Sequence, residues 1–509
     1  MSGVAAAAVA TAAASGATVS AAGRRVCFLT DTEGSWTYNE SNDSNETLQL
    51  RDDCVLVFGG DAGDKGDDTL RCFEQLVRLK KRHPERVVLL VGNRDVNKMR
   101  LTSELADSEL PLHAMAREVR DGPLWVPQDK RVTLDTFLAR QAAQDASATA
   151  ASAAFAANTE SADADAALLA AANTKVNRLK WMLEHTMGAQ GDFERRRKEL
   201  AARTARRSLT PEVTASAATA TGAVAADITT SDAVCTTDAA DAIDDESVLQ
   251  SYKDSVREGG VLREYLELGS LAFIAHDTLF THGGVIRGDS SGVCALGHVP
   301  GRPPMSEWVQ ELNAWYRQQV QEWIEQPTWS ADRSHRGGDQ LLQYVLPDHP
   351  SSVVMGRHLQ ASGMPAQLPS AVAQALAASG IRRLVVGHTP HGTCPTVIKQ
   401  SWPQQTPAWS HDAHAAERDS ARTFEEVIMC DTSYSDTAAS DNRGVAAVEL
   451  VVTPDGRAHL HGVLADGRTV AYASDDPLIG RELRDGTQVK AKLRTGGGGG
   501  GSGSGPTAT

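Results

Sequence analysis

Short apolar runs of strand length recur in two parts of the chain, and each run ends at a polar or glycine-rich turn. They lie at 25–30, 54–59, 86–91, 272–281 and 381–386. β-Branched or aromatic residues contribute to every run. This composition, with a turn at the end, predicts β-strands.

Helical periodicity lies between the second and third of these runs. Residues 67–83 place apolar side chains at the spacing of one helix face, at Leu70, Phe73, Leu76, Val77 and Leu79. A helix between two strands predicts a β-α-β unit. Residues 306–325 show the same kind of periodicity and predict a second amphipathic helix.

The pattern changes towards the C-terminus. Across 445–474, apolar runs are interrupted by Pro454-Asp455-Gly456 and by Ala465-Asp466-Gly467. Such turns typically join antiparallel strands. The whole pattern predicts the α/β (α+β) fold class, with mixed central sheets and a C-terminal β-hairpin region.

Four stretches of the chain carry few large side chains. They are the alanine-rich residues 1–23, the segments near 142–173 and near 208–246, and the Gly/Ser-rich residues 496–509. Burial there would not offset the entropy cost of ordering the chain, so we predict disordered tails and two low-complexity insertions in one domain over 24–495. A surface helix is the alternative for the alanine-rich segment.

Composition narrows the classes of function. The 509-residue chain has a net charge of −15 and a pI of about 5.5. This charge argues against general nucleic-acid binding and against binding to a membrane surface. The seven cysteines are scattered without a CxxC pair, which indicates reduced thiols of an intracellular protein. We expect a cytoplasmic protein without a membrane span, and an N-terminal organelle transit peptide is the alternative.

Polar residues with metal-binding side chains follow the predicted strands. They are Asp31, Glu33, Asp61, Asn93, His282 and His388. Strand ends in an α/β layer are where ligands bind. Carboxylates and an amide, with some imidazole, suit Mn²⁺, Fe or Mg²⁺, with Zn²⁺ as the alternative. A carboxylate shared by two ions would hold them about 3.5–4 Å apart, the arrangement that hydrolyses phosphates.

The order of these blocks resembles the calcineurin-like metallophosphoesterase superfamily, in its Ser/Thr-phosphatase and diadenosine-polyphosphatase branch. That family carries D-x-H, G-D-x-x-D-R-G, G-N-H-E or G-N-H-D, a His before Gly or Ala, and G-H. This chain has DTE, GDAGDKG, GNRD, THGG and GHTP at the corresponding places. The resemblance covers roughly residues 25–100 and 260–475.

The resemblance implies a four-layer α/β/β/α sandwich that hydrolyses phosphoric esters or anhydrides with two divalent ions that activate water. One ion would lie between Asp31 and Asp61, with Glu33 in place of the family histidine. The other would be held by Asp61, Asn93, His282 and His388, so that Asp61 bridges the two. Glutamate makes the first site more anionic, which favours Mn²⁺ or Mg²⁺ there. The alternative is that Glu33 points away and the first site is weak.

The catalytic residues implied are Lys65, Arg94 and Asp95. Lys65 replaces the family arginine that holds substrate phosphate, and Asp64 would orient a ligand or Lys65. Arg94 replaces the family histidine that protonates the leaving group; arginine stays charged, but it can stabilise the transferring phosphoryl group. Asp95 is expected to pair with Arg94. A merely structural ion pair is the alternative.

Other reactive residues are given structural roles. Asp431 is the next candidate for the site, although a turn is the expected role. Arg357 and His358 are expected in a solvated loop, and Arg195–Arg197 on a charged helix surface.

The expected substrate is a phosphoprotein, a nucleotide or a small phosphoester. Arg94 in place of the acid favours good leaving groups, such as those of dinucleotide polyphosphates. The rival function is a pseudophosphatase, weak or inactive, that acts as an interaction module through its low-complexity insertions.

Overall fold

The computed structural model describes residues 19–33, 47–115, 117–123, 126–148, 162–209, 242–285, 305–347, 349, 352–392, 394–400, 423–432, 446–464, 468–481, 489 and 493–494. The predicted tail at 1–23 lies outside these ranges up to residue 18, and so does the predicted tail at 496–509. Residues 210–241 of the second predicted insertion also lie outside them.

The described strands form two mixed sheets. In chain order they are β1 (Arg25–Leu29), β2 (Cys54–Phe58), β3 (Val87–Leu90), β4 (Gly269–Ser270), β5 (Ala272–Ala275), β6 (Thr278–Thr281), β7 (Arg383–Val386), β8 (Thr396–Lys399), β9 (Glu426–Met429), β10 (Ala446–Val452), β11 (Ala458–Leu464), β12 (Thr469–Ala473) and β13 (Leu493–Arg494). Within the described ranges, the first sheet has the order β13-β12-β11-β10-β1-β2-β3-β4 and the second β5-β6-β7-β9-β8.

The first sheet joins the two patterns that the sequence predicts. Strands β1 to β4 are parallel, as expected for β-α-β units. Strands β10 to β12 form the predicted antiparallel hairpins. Strand β1 joins the two halves, because it pairs parallel to β2 and antiparallel to β10.

The predicted strand at 272–281 is wrong as a single element. It is two antiparallel strands, β5 and β6, joined by a tight turn at His276 and Asp277. His276 has φ 53° there, in the left-handed region that side chains rarely adopt.

The described helices lie outside the two sheets. They are α1 (Thr69–Arg82), α2 (Asn93–Asn97), α3 (Arg100–Glu104), α4 (Arg117–Arg120), α5 (Leu134–Ala148), α6 (Ala162–Ala172), α7 (Lys175–Trp181), α8 (Asp192–Leu209), α9 (Asp245–Val256), α10 (Val261–Glu267), α11 (Met305–Glu325), α12 (Asp339–Tyr344) and α13 (Ser370–Ala378). Helices α1 and α11 confirm the two predicted amphipathic helices. Part of the segment near 142–173, predicted without structure, is helical in α5 and α6.

Successive side chains of the strands point alternately to the space between the two sheets and to the helices outside them. Phe28 of β1 and Phe280 of β6 stack between the two sheets, with ring centroids 5.6 Å apart. On the outer face of the first sheet, Phe73 of α1 contacts the ring of Tyr265 of α10 edge-on, at 4.9 Å between centroids. Leu376 of helix α13 shares a hydrophobic core cluster with Leu384 and Val386 of β7, on the outer face of the second sheet. The result is an α/β/β/α sandwich, which confirms the predicted fold class.

Helix α8 is more deeply buried than its charge predicts. Arg196, expected at the surface, is buried, and its guanidinium lies 4.1 Å from the ring centroid of Tyr252. Glu199 on the same helix accepts backbone hydrogen bonds from Leu70 (3.1 Å) and Arg71 (3.0 Å), at the start of α1. Burial raises the pKa of Glu199 to about 7, against the lowering effect of Arg196.

Within the described ranges, every helix is too short or too polar to span a lipid bilayer.

Candidate metal centre

Turns after five strands bring the candidate residues together. Asp31 follows β1, Asp61 follows β2, Asn93 follows β3, His282 follows β6 and His388 follows β7. Asp31 (φ 52°), Asp61 (φ 55°) and His388 (φ 63°) have left-handed backbones. Such conformations are costly for these residue types and cluster at functional sites.

Glycines leave the space that the carboxylates fill. A Cβ added at Gly92 would lie 1.9 Å from Oδ1 of Asp61, and one at Gly387 would lie 2.2 Å from Oδ2 of Asp31. Both distances are far inside van der Waals contact. The glycines of GNRD and GHTP are therefore required by the close approach of the acidic side chains.

Asp61, His282 and His388 form a buried group whose ligand atoms all lie within 4.8 Å of one another. His282 Nδ1 donates to the Gly59 carbonyl at 2.8 Å, because a carbonyl oxygen can only accept. This bond leaves the lone pair on Nε2, which lies 3.6 Å from Oδ2 of Asp61 and 3.4 Å from Oδ1 of Asn93. A ring fixed in this way is typical of a metal-binding histidine.

His388 carries a buried ring nitrogen without a partner. Its Nε2 has no hydrogen bond among the described residues. Burial lowers the pKa of His388 well below its usual value, and the charge of Arg357 lowers it further. The neutral ring offers a lone pair beside His282, whose ring centroid lies 5.2 Å away. The group therefore fits a divalent cation, with nitrogen and oxygen donors that suit Mn²⁺, Fe or Zn²⁺.

Asp31 lies close to two other carboxylates of the centre, those of Asp61 and Asp431. It accepts hydrogen bonds from the Thr30 hydroxyl at 2.5 Å and from the backbone N–H of His388 at 3.1 Å. Burial raises the pKa of Asp31 well above its usual value, and the charges of Asp431 and Asp61 raise it further. Asp431, which is 3% exposed and follows β9, is thus part of the centre's electrostatics and not simply a turn residue.

Glu33 does not face an open space. It is 3% exposed, and its Oε1 lies 2.9 Å from Nζ of Lys65 and 3.3 Å from Nε of Arg94. The turn holds the pair in register, since Lys65 N–H also donates to the Glu33 carbonyl at 2.7 Å. The predicted metal ligand Glu33 and the predicted phosphate-binding Lys65 therefore form an ion pair with each other.

Arg94 reaches into the same cluster. Its Nε lies 3.5 Å from Oδ2 of Asp61, and its Nη1 donates to the Gly188 carbonyl at 2.6 Å. Burial alone would lower the pKa of Arg94, but the carboxylates of Glu33, Asp61 and Asp64 raise it above its usual value. The guanidinium therefore keeps its proton near neutral pH.

Asp95 is placed differently from its predicted role. Its carboxylate accepts backbone hydrogen bonds from Gly92 (2.8 Å), Asp61 (2.9 Å) and Ala62 (3.1 Å). The predicted pairing with Arg94 is wrong, because the oxygens of Asp95 are directed at the backbone. Burial and the charge of Asp61 raise the pKa of Asp95, while the backbone donors lower it. Asp95 ties the turn after β2 to the turn after β3.

Sequence reasoning missed the residues that hold Asp64. Lys98 is buried, and its Nζ donates to Oδ2 of Asp64 at 2.6 Å. Arg195 of α8, expected at the surface, donates to the Asp64 carbonyl at 2.6 Å. The position of Lys98, one helical turn after Arg94, was a usable signal. No sequence signal pointed to Arg195, because it lies 131 positions from Asp64 in the chain.

His358 is also buried, which corrects its expected place in a solvated loop, whereas the neighbouring Arg357 is exposed as predicted. It is 1% exposed, and neither ring nitrogen has a hydrogen bond among the described residues. A Cβ at Gly284 of the THGG turn would lie 2.6 Å from its Nε2. Burial lowers the pKa of His358 to about 3, so the ring is neutral.

Comparison with known proteins gives little beyond this geometry. No model of a protein family matches the chain, and no curated protein matches it. The solved structures that match include protein phosphatases. The cold-active protein-tyrosine phosphatase of a psychrophile Shewanella sp. is 12% identical, over 89% of this chain and 80% of that one, with a TM-score of 0.34. A protein serine/threonine phosphatase from Saccharomyces cerevisiae with similarity to human phosphatase PP5 is 10% identical, over 87% and 79%, with a TM-score of 0.32.

Proposed function

We propose that the protein is a metal-dependent hydrolase of phosphoric esters or anhydrides, of the calcineurin-like metallophosphoesterase type. The observation that carries the proposal is the buried group of Asp61, His282 and His388, in which Nε2 of His388 has no hydrogen-bond partner among the described residues. Asn93, whose Oδ1 lies 3.4 Å from Nε2 of His282, completes the proposed ligand set. When bound, a divalent ion acts as a Lewis acid and makes water a stronger nucleophile.

The cations beside this group suit a phosphorylated substrate. Lys65 and Arg94 are fixed by Glu33, so their charges are in place before a phosphate arrives. Such preorganised charge stabilises the oxygens of a transferring phosphoryl group. Arg94 cannot give a proton to the leaving group, because carboxylates raise its pKa. We therefore propose phosphoanhydrides, such as dinucleotide polyphosphates, as better substrates than alkyl monoesters.

The resemblance also implied an ion at the first site, between Asp31 and Asp61, with Glu33 as a further ligand. The ion pairs of Glu33 with Lys65 and Arg94 do not support this part of the prediction. In the rival function, a pseudophosphatase, the same pairs would keep both cations from binding a substrate. Activity measurements separate the two functions.

The test is Mn²⁺-dependent hydrolysis of p-nitrophenyl phosphate and of a dinucleotide polyphosphate. Asp61→Asn removes the charge at the centre of the ligand group, and the exposed Asp53 gives a matched Asp→Asn control outside it. We expect metal-dependent turnover that is kept in the Asp53 variant and lost in the Asp61 variant. Equal rates for wild type and the Asp61 variant on both substrates would leave the pseudophosphatase as the better account.

A further inference from the structure

Arg94 lies between two of the carboxylates predicted to share a metal ion. Its Nε is 3.3 Å from Oε1 of Glu33 and 3.5 Å from Oδ2 of Asp61. These are two of the oxygens that the predicted first ion would need. The guanidinium is thus a cation at the place where the sequence predicted a metal.

We propose that Arg94 takes the place of the predicted first metal ion, so that the centre holds one divalent ion, at Asp61, His282 and His388. The inference rests on the proposed function, since it concerns the composition of the same centre. It replaces the two-ion centre with one metal and one internal cation.

The position of Arg94 is fixed from several directions. Its Nη1 donates to the carbonyl of Gly188 at 2.6 Å and lies 3.9 Å from Oδ2 of Asp64. Its backbone N–H donates to Oδ1 of Asp61 at 3.0 Å. The side chain is 15% exposed, so water screens it weakly. An arginine held in this way cannot move away without breaking contacts on both sides of the centre.

The positive charges beside the first site explain why no further metal ion binds there. Lys65 and Arg94 bring two positive charges to Glu33 and Asp61. A divalent ion between these carboxylates would lie next to the guanidinium of Arg94, which always carries a positive charge. Repulsion at this distance in a buried site is strong, because little solvent intervenes. Glu33 would also have to give up both of its ion pairs to become a ligand.

The experiment counts metal ions per chain. The full-length protein is equilibrated with excess MnCl₂, freed of unbound ion by gel filtration, and analysed by inductively coupled plasma mass spectrometry. We expect one Mn²⁺ per chain for the wild type. We expect two for Arg94→Ala, in which Glu33 and Asp61 lose the competing charge. Arg94→Gln gives the same comparison with a side chain that fills more of the space.

Arg100 provides a matched control. Its side chain is 13% exposed, close to the 15% of Arg94, and pairs with Glu104 outside the centre, so Arg100→Ala removes a similarly exposed arginine without touching a proposed ligand. The control is expected to keep one ion, and circular dichroism checks that each variant is folded.

Each other count contradicts the inference in a distinct way. Two ions in the wild type, for example with Asp31, Asp61 and Asp431 as ligands of the second, would overturn the inference and leave the proposed function standing. No ion in the wild type would overturn both. One ion in folded Arg94→Ala and Arg94→Gln would show that the arginine is not what excludes the second ion.

Discussion

Asp95 is expected to hold the metal centre together without taking part in the chemistry. Its carboxylate accepts hydrogen bonds from the backbone of Gly92, Asp61 and Ala62 at 2.8, 2.9 and 3.1 Å. Asp61 and Asn93, two proposed ligands, lie in the two turns that these bonds join. Asp95→Ala removes the acceptor and leaves buried N–H groups without a partner.

The magnitude follows from these bonds. A hydrogen bond to a charged group contributes about 1.5–3 kcal/mol net. Burial of the carboxylate, which raises its pKa, offsets part of the sum. We expect Asp95→Ala to lower the free energy of unfolding by roughly 3–5 kcal/mol, a large fraction of what a domain has. Asp95→Asn keeps one oxygen acceptor but turns a donor towards the backbone, so its cost should lie in the same range.

Urea unfolding and Mn²⁺ titration calorimetry measure the two consequences. We expect both variants to lose stability and metal affinity together, because the ligand-bearing turns separate. A catalytic role would look different. If Asp95→Ala kept its stability and metal affinity but lost turnover, more so for poor leaving groups, the structural account of Asp95 would be refuted.

Three further predictions concern the glycine beside the centre, a buried acid and the inter-sheet core. Gly92→Ala should displace Asp61 and weaken Mn²⁺ binding at least tenfold in calorimetry, because the new Cβ would lie 1.9 Å from Oδ1 of Asp61. Glu199→Gln should remove a pH dependence of stability between about pH 4.5 and about pH 7, since burial raises the pKa of Glu199 in the folded state from its usual 4.5 to about 7. Phe28→Ala should lower the free energy of unfolding by about 3–5 kcal/mol in urea, since the ring is fully buried between the sheets.

The sign for Glu199 follows from linkage. Its folded-state pKa is raised, so protonation stabilises the folded protein below the unfolded-state value, and this contribution is lost as pH rises through about 7. The wild type should lose roughly 3 kcal/mol relative to Glu199→Gln over that window. If the free energies of unfolding of wild type and Glu199→Gln differed by the same amount at pH 4.5 and at pH 7, the raised pKa of Glu199 would be contradicted.

The other two predictions have their own counter-results. If Gly92→Ala bound Mn²⁺ as tightly as the wild type does, the position of the Asp61 carboxylate beside Gly92 would not be required for metal binding. For Phe28, the control is Phe273→Ala, which removes a partly buried ring that also neighbours Phe280, at 6.3 Å between centroids. Equal costs at the two positions would contradict the inter-sheet location of Phe28.

The elements that could be predicted from the sequence are those defined by local pattern. Strands β1 to β3 and helix α1 follow from periodicity and from the glycines at their ends. The turn between β5 and β6 was missed, because no glycine or proline interrupts residues 272–281 and Asp277, a typical turn residue, was not weighed as a turn signal. Its left-handed φ of 53° at His276 is stabilised by the surrounding structure and leaves no mark in the sequence.

The candidate site shows the same division. The order of motifs predicted that Asp61, His282 and His388 lie in one site, and their ligand atoms are within 4.8 Å of one another. The pairing of Arg94 with Asp95 failed for a physical reason, because adjacent residues of a helix do not face each other. The burial of Arg196 by Tyr252 could not be predicted either, since the two residues come from helices far apart in the chain.

The place of β1 in its sheet has a consequence for biosynthesis. Val26 aligns with Val55 of β2 on one side and with Val452 of β10 on the other. The ribosome must therefore synthesise almost the whole chain before β1 can pair with β10, its second neighbour. Until then the nascent protein presents a bare strand edge, with unpaired N–H and C=O groups that attract other chains. The protein should depend on chaperones during this interval, long after the turns that carry Asp31, Asp61 and Asn93 have left the ribosome.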